Sequence, residues 1–443
     1  MPNQSHVFPR HCHSQLPTVA RGDGCYLYDT EGKAYLDACG GAAVSCLGHN
    51  FTPVIDAVTQ QMQAMAYAHT SFFTSEPAEE LATLLAAHAP GDLNRSYFVC
   101  GGSEAMEAAL KLARQYALEK GQESRKYIVA RQQSYHGNTL GALATGGNQW
   151  RRKPFEPLMV STSHIPPCYA YRYQHEGESD DDYALRSANH LRLEIERLGP
   201  ENVLAFVAEP VVGATLGAVP PVGHYFQHIR QICDEYGVLL ILDEVMCGMG
   251  RTGSLFACEQ DGIEPDILIA AKGLGAGYQP IGVMMCQESI YQTIAQGSGF
   301  FQHGHTYIGH PAVCAAGLQV VRSIVEGNLP EQIVHKGQLL QAMLLEAFGD
   351  HPHIGNIRGR GLFVGLELVE NKATKDPFPR QQQINKRIKQ QAFANGLMCY
   401  PMGGTIDGSN GDHVLLAPPY IISEAELQTV VDILETSFAQ VFA

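Results

Sequence analysis

The chain has 443 residues, 45% of them hydrophobic and 17% charged, the balance of an ordinary globular protein and not of a disordered one. Its formal net charge of −15 argues against nucleic acid or anionic membrane as a general partner, so any phosphate-bearing ligand has to be held by local groups. No apolar run approaches the ~20 residues of a membrane span, and the length suits two or three domains around a large core. The opening segment, Met1 to Gln15, is polar and lacks the apolar stretch of a signal peptide. Twelve cysteines occur with no C-x-x-C pair, which predicts reduced thiols and a cytoplasmic protein rather than a disulfide framework.

In chain order, Cys25–Tyr28 and Ala34–Asp37 read as a short extended pair hinged by Thr30–Lys33. Tyr97–Cys100 reads as a strand, followed by a helix from near Ser103 on which Met106, Ala109, Leu110, Ala113 and Ala117 keep helical spacing. Tyr127–Ala130 is a further strand, leading into a loop at Tyr135-His136-Gly137. The acidic stretch Glu176–Asp182 reads as a solvated loop. Val203–Ala208 ends at Glu209-Pro210, and a helix carrying Phe226, Ile229, Cys233 and Tyr236 stops at Gly237. Two apolar runs follow, Val238–Leu242 and Ile267–Ala271, and a last helix starts near Ser423. Strands alternating with helices predict a mostly parallel sheet covered on both faces. We divide the chain into 1–70, the N-terminal part of a small domain; 71–320, a large domain; and 321–443, the C-terminal part of the small domain.

Each of the two apolar runs delivers a charged residue at its far end, Asp243 in one case and Lys272 in the other. In open parallel sheets the ligand crevice lies beyond the carboxyl ends of the strands, so an acid and an amine are expected in one crevice. An amine able to form a Schiff base, with a carboxylate for a pyridine nitrogen, is what pyridoxal phosphate (PLP) chemistry needs. Gly101-Gly102-Ser103 between strand and helix can cradle a phosphate, although a plain N-cap turn explains it equally well. Gly248-x-Gly250-x-x-Gly253 matches a dinucleotide fingerprint on paper, but it neither follows its strand directly nor opens a helix, so a tight surface turn is expected. His303, His305 and His310 fit no metal-ligand spacing, and no metal is expected.

The set Gly102-Ser103-Glu104-Ala105, Ser134-Tyr135-His136-Gly137, Glu209-Pro210-Val211, Leu242-Asp243-Glu244-Val245, Ala271-Lys272-Gly273-Leu274-Gly275 and His305-Thr306-Tyr307 resembles the class III (ω-aminotransferase) family of PLP-dependent fold type I enzymes. The resemblance runs from about Arg21 to the C-terminal helix. It implies a large PLP-binding domain with a mostly parallel sheet, a smaller α/β domain built from both chain ends, and ping-pong transamination. By position it assigns the covalent PLP link and proton movement to Lys272, and the pyridine nitrogen to Asp243. Tyr135 would stack on the ring with Val245 opposite, and Gly102 and Ser103 would hold the phosphate. His136, Gly137 and Glu209 complete the cofactor-binding set, and Thr306 would reach the phosphate of a neighbouring subunit, which implies at least a homodimer.

Departures from the family pattern bear on substrate. Positions where relatives place carboxylate-binding arginines are occupied by Asn138, Val414 and Tyr400, and Arg251 is one candidate to replace them. The expected reaction moves an amino group from an ω-amine or ω-amino acid to a small 2-oxo acid, pyruvate before 2-oxoglutarate. Rival readings are another PLP reaction on the same scaffold (aminomutase, epimerase or amine phospho-lyase), a catalytically silent binding protein, and an NAD-dependent oxidoreductase.

Overall fold

In a computed structural model, which describes residues 6–443, three sheets organise the chain. Met1–Ser5 of the opening segment lie outside the described residues. Strands β1 (Val19–Asp23), β2 (Tyr26–Asp29) and β3 (Ala34–Asp37) form an antiparallel meander. The central sheet contains β4 (Leu93–Val99), β5 (Tyr127–Arg131), β6 (Thr162–Ile165), β7 (Val203–Ala208), β8 (Leu239–Asp243), β9 (Ile267–Ala270) and β10 (Gly282–Gln287), in the spatial order β4-β10-β9-β8-β7-β5-β6. Neighbours from β6 to β9 pair in parallel, and β10 alone runs against its two neighbours. The C-terminal strands are β11 (Ile354–Arg360), β12 (Phe363–Leu368), β13 (Leu397–Met398), β14 (Tyr400–Gly403) and β15 (Asp412–Leu416). Four of them pair in the order β11-β12-β15-β14, while β13 joins β3 in parallel, so the first and last parts of the chain share one sheet.

The central strands are continuous apolar runs because both faces are covered: every residue of β7 and β9 is buried. On one face, helix α1 (Gly102–Glu119) buries Ala105, Met106, Ala109, Leu112 and Ala113, small side chains that let it lie close to the sheet. Leu110, placed on the apolar stripe by spacing alone, is only partly buried. On the other face, α2 (Tyr225–Tyr236) buries Phe226, Ile229 and Cys233 and ends at Gly237 in a left-handed conformation. The last helix, Glu424–Phe442, begins with a capping box between Ser423 and Glu426. No helix among the described residues is long and apolar enough to cross a membrane.

Two local expectations fail. Asp180–Asp182 are not a loop but the first turn of the helix Asp180–Leu198, where Ser179 caps the Asp182 N–H and three carboxylates meet the positive end of the helix dipole. The Gly248–Gly253 turn is tight but largely buried rather than on the surface. Tyr420 donates its hydroxyl to the Met249 carbonyl, and the guanidinium of Arg251 donates to the carbonyls of Leu362 and Pro418. This buried turn opens no helix and ties the central sheet to the C-terminal segments.

Candidate active site

The site sits where the sheet topology puts it, beyond the carboxyl ends of β8 and β9, in a cavity of about 420 Å³. A larger cleft of about 660 Å³ opens beside the N-terminal strands, but no lysine lines it. Asp243, the last residue of β8, and Lys272, two residues past β9, both line the smaller cavity. Lys272 adopts φ +45°, a left-handed backbone that costs a non-glycine residue on the order of 1–3 kcal/mol and that recurs at functional positions. Its Nζ makes no hydrogen bond or ion pair among the described residues. Burial pushes its ammonium down to about 8, against the opposing pull of Asp243 and Glu209. A substantial share of free amine therefore exists just above neutrality, as nucleophilic lysine chemistry requires.

Asp243 is buried and held on both oxygens. Oδ2 lies 2.8 Å from His136 Nδ1, and Oδ1 accepts the Val245 N–H at 3.0 Å. His136 is itself buried, and its Nε2 has no partner. Glu209 is also buried, and burial raises its carboxyl above the ordinary value against the opposing charge of His136. Its Oε1 accepts the Tyr135 N–H at 3.0 Å and its Oε2 the Gly213 N–H at 2.8 Å, so it fixes the loop that presents the Tyr135 ring. Buried Arg131, at the end of β5, donates to the Glu209 carbonyl and holds the same junction from behind.

The residues present fit PLP. At the start of α1 the turn has no side-chain cap, so the first amides have no capping partner, and Gly102 and Ser103 there line the cavity. The cradle is shaped by small residues: a Cβ on Gly137 would stand 2.6 Å from Ser103 Oγ, and one on Gly102 would stand 2.9 Å from Val245. Ser103 Oγ accepts the Asn138 N–H at 3.0 Å, which joins the two loops around the space. Tyr135 and Val245 line the cavity, as a flat ring held between an aromatic and a branched aliphatic side chain would need. Of the cofactor-binding residues expected from the sequence, only Thr306 lies elsewhere. It is exposed on the loop 297–310, its carbonyl accepting the Tyr67 hydroxyl at 2.9 Å.

Substrate-side positions are also placed. Asn138 is exposed, Val414 is fully buried within β15, and Tyr400 packs against a buried apolar cluster that contains Ala43 and Val211. Arg251 donates Nη1 to two backbone carbonyls, keeps Nε and Nη2 without a partner among the described residues, and does not line the cavity. A cation the sequence did not suggest is Arg151, whose guanidinium lies 4.7 Å over the Tyr135 ring. Its Nε is buried without a partner, and its charge acts on Lys272.

A reversed strand in an otherwise parallel sheet, a lysine beyond one strand and an aspartate at the end of its neighbour define a fold type I PLP-dependent transferase, and structural comparison agrees. The chain superimposes with a TM-score of 0.92 on the crystal structure of a thermostable (S)-enantioselective omega-transaminase from Thermomicrobium roseum, at 34% identity over 99% of this chain and 97% of that one. It matches a PMP-bound aminotransferase from Vibrio fluvialis with a TM-score of 0.90, at 30% identity over 96% and 93% of the two chains. In sequence, an uncharacterized aminotransferase of Schizosaccharomyces pombe is 46% identical over 96% of this chain and 93% of its own length. The family described as Aminotransferase class-III matches residues 7–438. The chain belongs to that family and is a transaminase; class III aminotransferases depend on PLP in general.

Proposed function

We propose that this enzyme transfers an amino group from an ω-amine or ω-amino acid to a small 2-oxo acid, with pyruvate preferred, in a ping-pong cycle at sites shared between two subunits. PLP, when bound, supplies an aldehyde that takes up amino groups and a ring that accepts electron density. In this reading Lys272 Nζ carries the cofactor at rest, then takes the proton from the amine-bearing carbon of the substrate and returns it. Asp243, fixed by His136 and the Val245 amide, keeps a proton at the pyridine nitrogen. Tyr135 and Val245 orient the ring, Gly102 and Ser103 hold the phosphate, and Thr306 serves the partner's site.

The observation that carries the acceptor preference is the lack of arginine at positions 138, 400 and 414, together with the absence of Arg251 from the cavity lining. A second carboxylate buried without a bidentate cation costs several kcal/mol. Arg151, whose guanidinium lies over the Tyr135 ring, is our candidate to receive a single carboxylate. The Thermomicrobium roseum neighbour's title as an omega-transaminase supports the donor class. A screen of ω-amines and ω-amino acids against pyruvate and 2-oxoglutarate tests both halves. Turnover without any 2-oxo acid would point instead to an aminomutase, epimerase or lyase.

A further inference from the structure

Three metal-competent side chains converge at the edge of the lysine cavity, whose lining includes Cys100. Cys100 follows β4, Glu104 lies in the first turn of α1, and His305 comes from the loop 297–310. Cys100 Sγ is 3.2 Å from His305 Nε2, and the same nitrogen is 3.5 Å from Glu104 Oε2. The three donor atoms all lie within 4.8 Å of one another. Around a tetrahedral zinc ion, bond lengths of about 2.3 Å to sulfur and 2.0–2.2 Å to nitrogen or oxygen put S···N near ~3.6 Å and N···O near ~3.4 Å. The two observed separations fall within a few tenths of an ångström of those values without any backbone movement. The Cys100 N–H donates to Glu104 Oε2 at 2.8 Å, which fixes that carboxylate toward the thiol. Glu104 is partly exposed, so an ion can enter from solvent.

We propose that Cys100, Glu104 and His305 form a zinc-binding site of three protein donors, with the fourth position open to water. A thiol, an imidazole and a carboxylate select a borderline-soft divalent cation over magnesium or calcium. Binding releases the Cys100 thiol proton to solvent and leaves the neutral imidazole as donor through Nε2. The three histidines near position 305 do not act together: the His303 ring packs against Tyr97 and Phe301, and the His310 ring against Tyr67 and Tyr307. The signal therefore escapes any search by sequence spacing, since the donors are separated by four residues on one side and about two hundred on the other. The ion would clamp the loop carrying Thr306 onto the turn carrying Gly102 and Ser103.

The test uses the PLP-loaded enzyme, freed of adventitious metal by chelation, in a Cys12→Ser/His13→Gln background. That background removes the exposed His11-Cys12-His13 segment as a competing ligand set. Titration of Zn²⁺ against a chromophoric chelator is expected to give one tight equivalent per chain, and Co²⁺ to give a thiolate-to-metal charge-transfer band with tetrahedral d–d bands. Cys100→Ser should abolish the charge-transfer band and weaken Zn²⁺ by more than about 100-fold, the upper range for loss of an outer-shell partner alone. His305→Gln should weaken it comparably, with folding of both variants checked by circular dichroism. In the background protein itself, Zn²⁺ should protect Cys100 from alkylation, read by peptide mass. Absence of a tight equivalent, a charge-transfer band that survives in Cys100→Ser, or unprotected alkylation of Cys100 each overturns the site.

Discussion

His136 Nδ1 lies 2.8 Å from Asp243 Oδ2, between two buried side chains that reach the site from different strand ends. The imidazole thereby aims the carboxylate that our reading assigns to the pyridine nitrogen. Asp243→Ala should retain PLP and lose roughly 10²–10⁴-fold in kcat, the usual worth of a positioned proton-holding group. His136→Gln should cost less, about 10-fold or more in kcat, with KM little changed, because Asp243 persists but loses its orientation. Steady-state kinetics at matched cofactor occupancy, read by absorbance, checks both. Near-normal turnover of Asp243→Ala would remove its assigned role.

Lys272 should be the sole lysine labelled when the PLP-loaded enzyme is reduced with borohydride and its peptides are mapped. Because the free-amine form reacts, reconstitution of apoenzyme with PLP should speed up with rising pH through a midpoint of about 8 and level off above it. An ordinary lysine would continue to accelerate past pH 10. A label on another lysine, or a midpoint near 10, contradicts the assignment.

Thr306 is exposed on its own chain and does not line the lysine cavity, as a residue serving a second subunit would be. Thr306→Ala should hold PLP more weakly. Mixing it with a Lys272→Ala variant should restore part of the activity, since hybrid dimers contain one site free of both lesions. A fully active monomer, measured by light scattering during turnover, would refute the shared site.

Pyruvate should exceed 2-oxoglutarate in kcat/KM with any one good donor. Arg151→Gln should raise KM for pyruvate by roughly 10-fold or more while leaving the kcat of a carboxylate-free amine donor little changed, if its unpaired guanidinium receives the acceptor carboxylate. A clear preference for 2-oxoglutarate defeats the argument from the missing arginines.

Strands β7, β8 and β9 were readable because they are short and apolar on both faces, and Asp243 and Lys272 stand out at or just past the ends of two of them; β6, with Thr162, Ser163 and His164, and β10 were not read from the sequence. What spacing alone could not reveal are contacts made between distant segments. Neither the His136–Asp243 pair nor the use of Glu209 to hold the Tyr135 amide has a local pattern. The same applies to Arg151, drawn to the site by a ring sixteen residues earlier, and to Glu367, buried between Arg172 at 2.6 Å and Arg358 at 2.7 Å. The Gly248–Gly253 turn misled in the opposite direction, since glycine-rich loops are usually exposed and this one is largely covered by Tyr420, Ile324, Ile333 and Val334.

The parallel pairing of β3 with β13 has a consequence for biosynthesis. Leu36 and Asp37 emerge from the ribosome early, yet the strand that completes their sheet is not made until Leu397 and Met398 have been translated. The central sheet, whose strands all lie between positions 93 and 287, can assemble long before that. The N-terminal meander must therefore wait with one edge unpaired, open to chaperones or to a neighbouring nascent chain, for most of the time that synthesis takes.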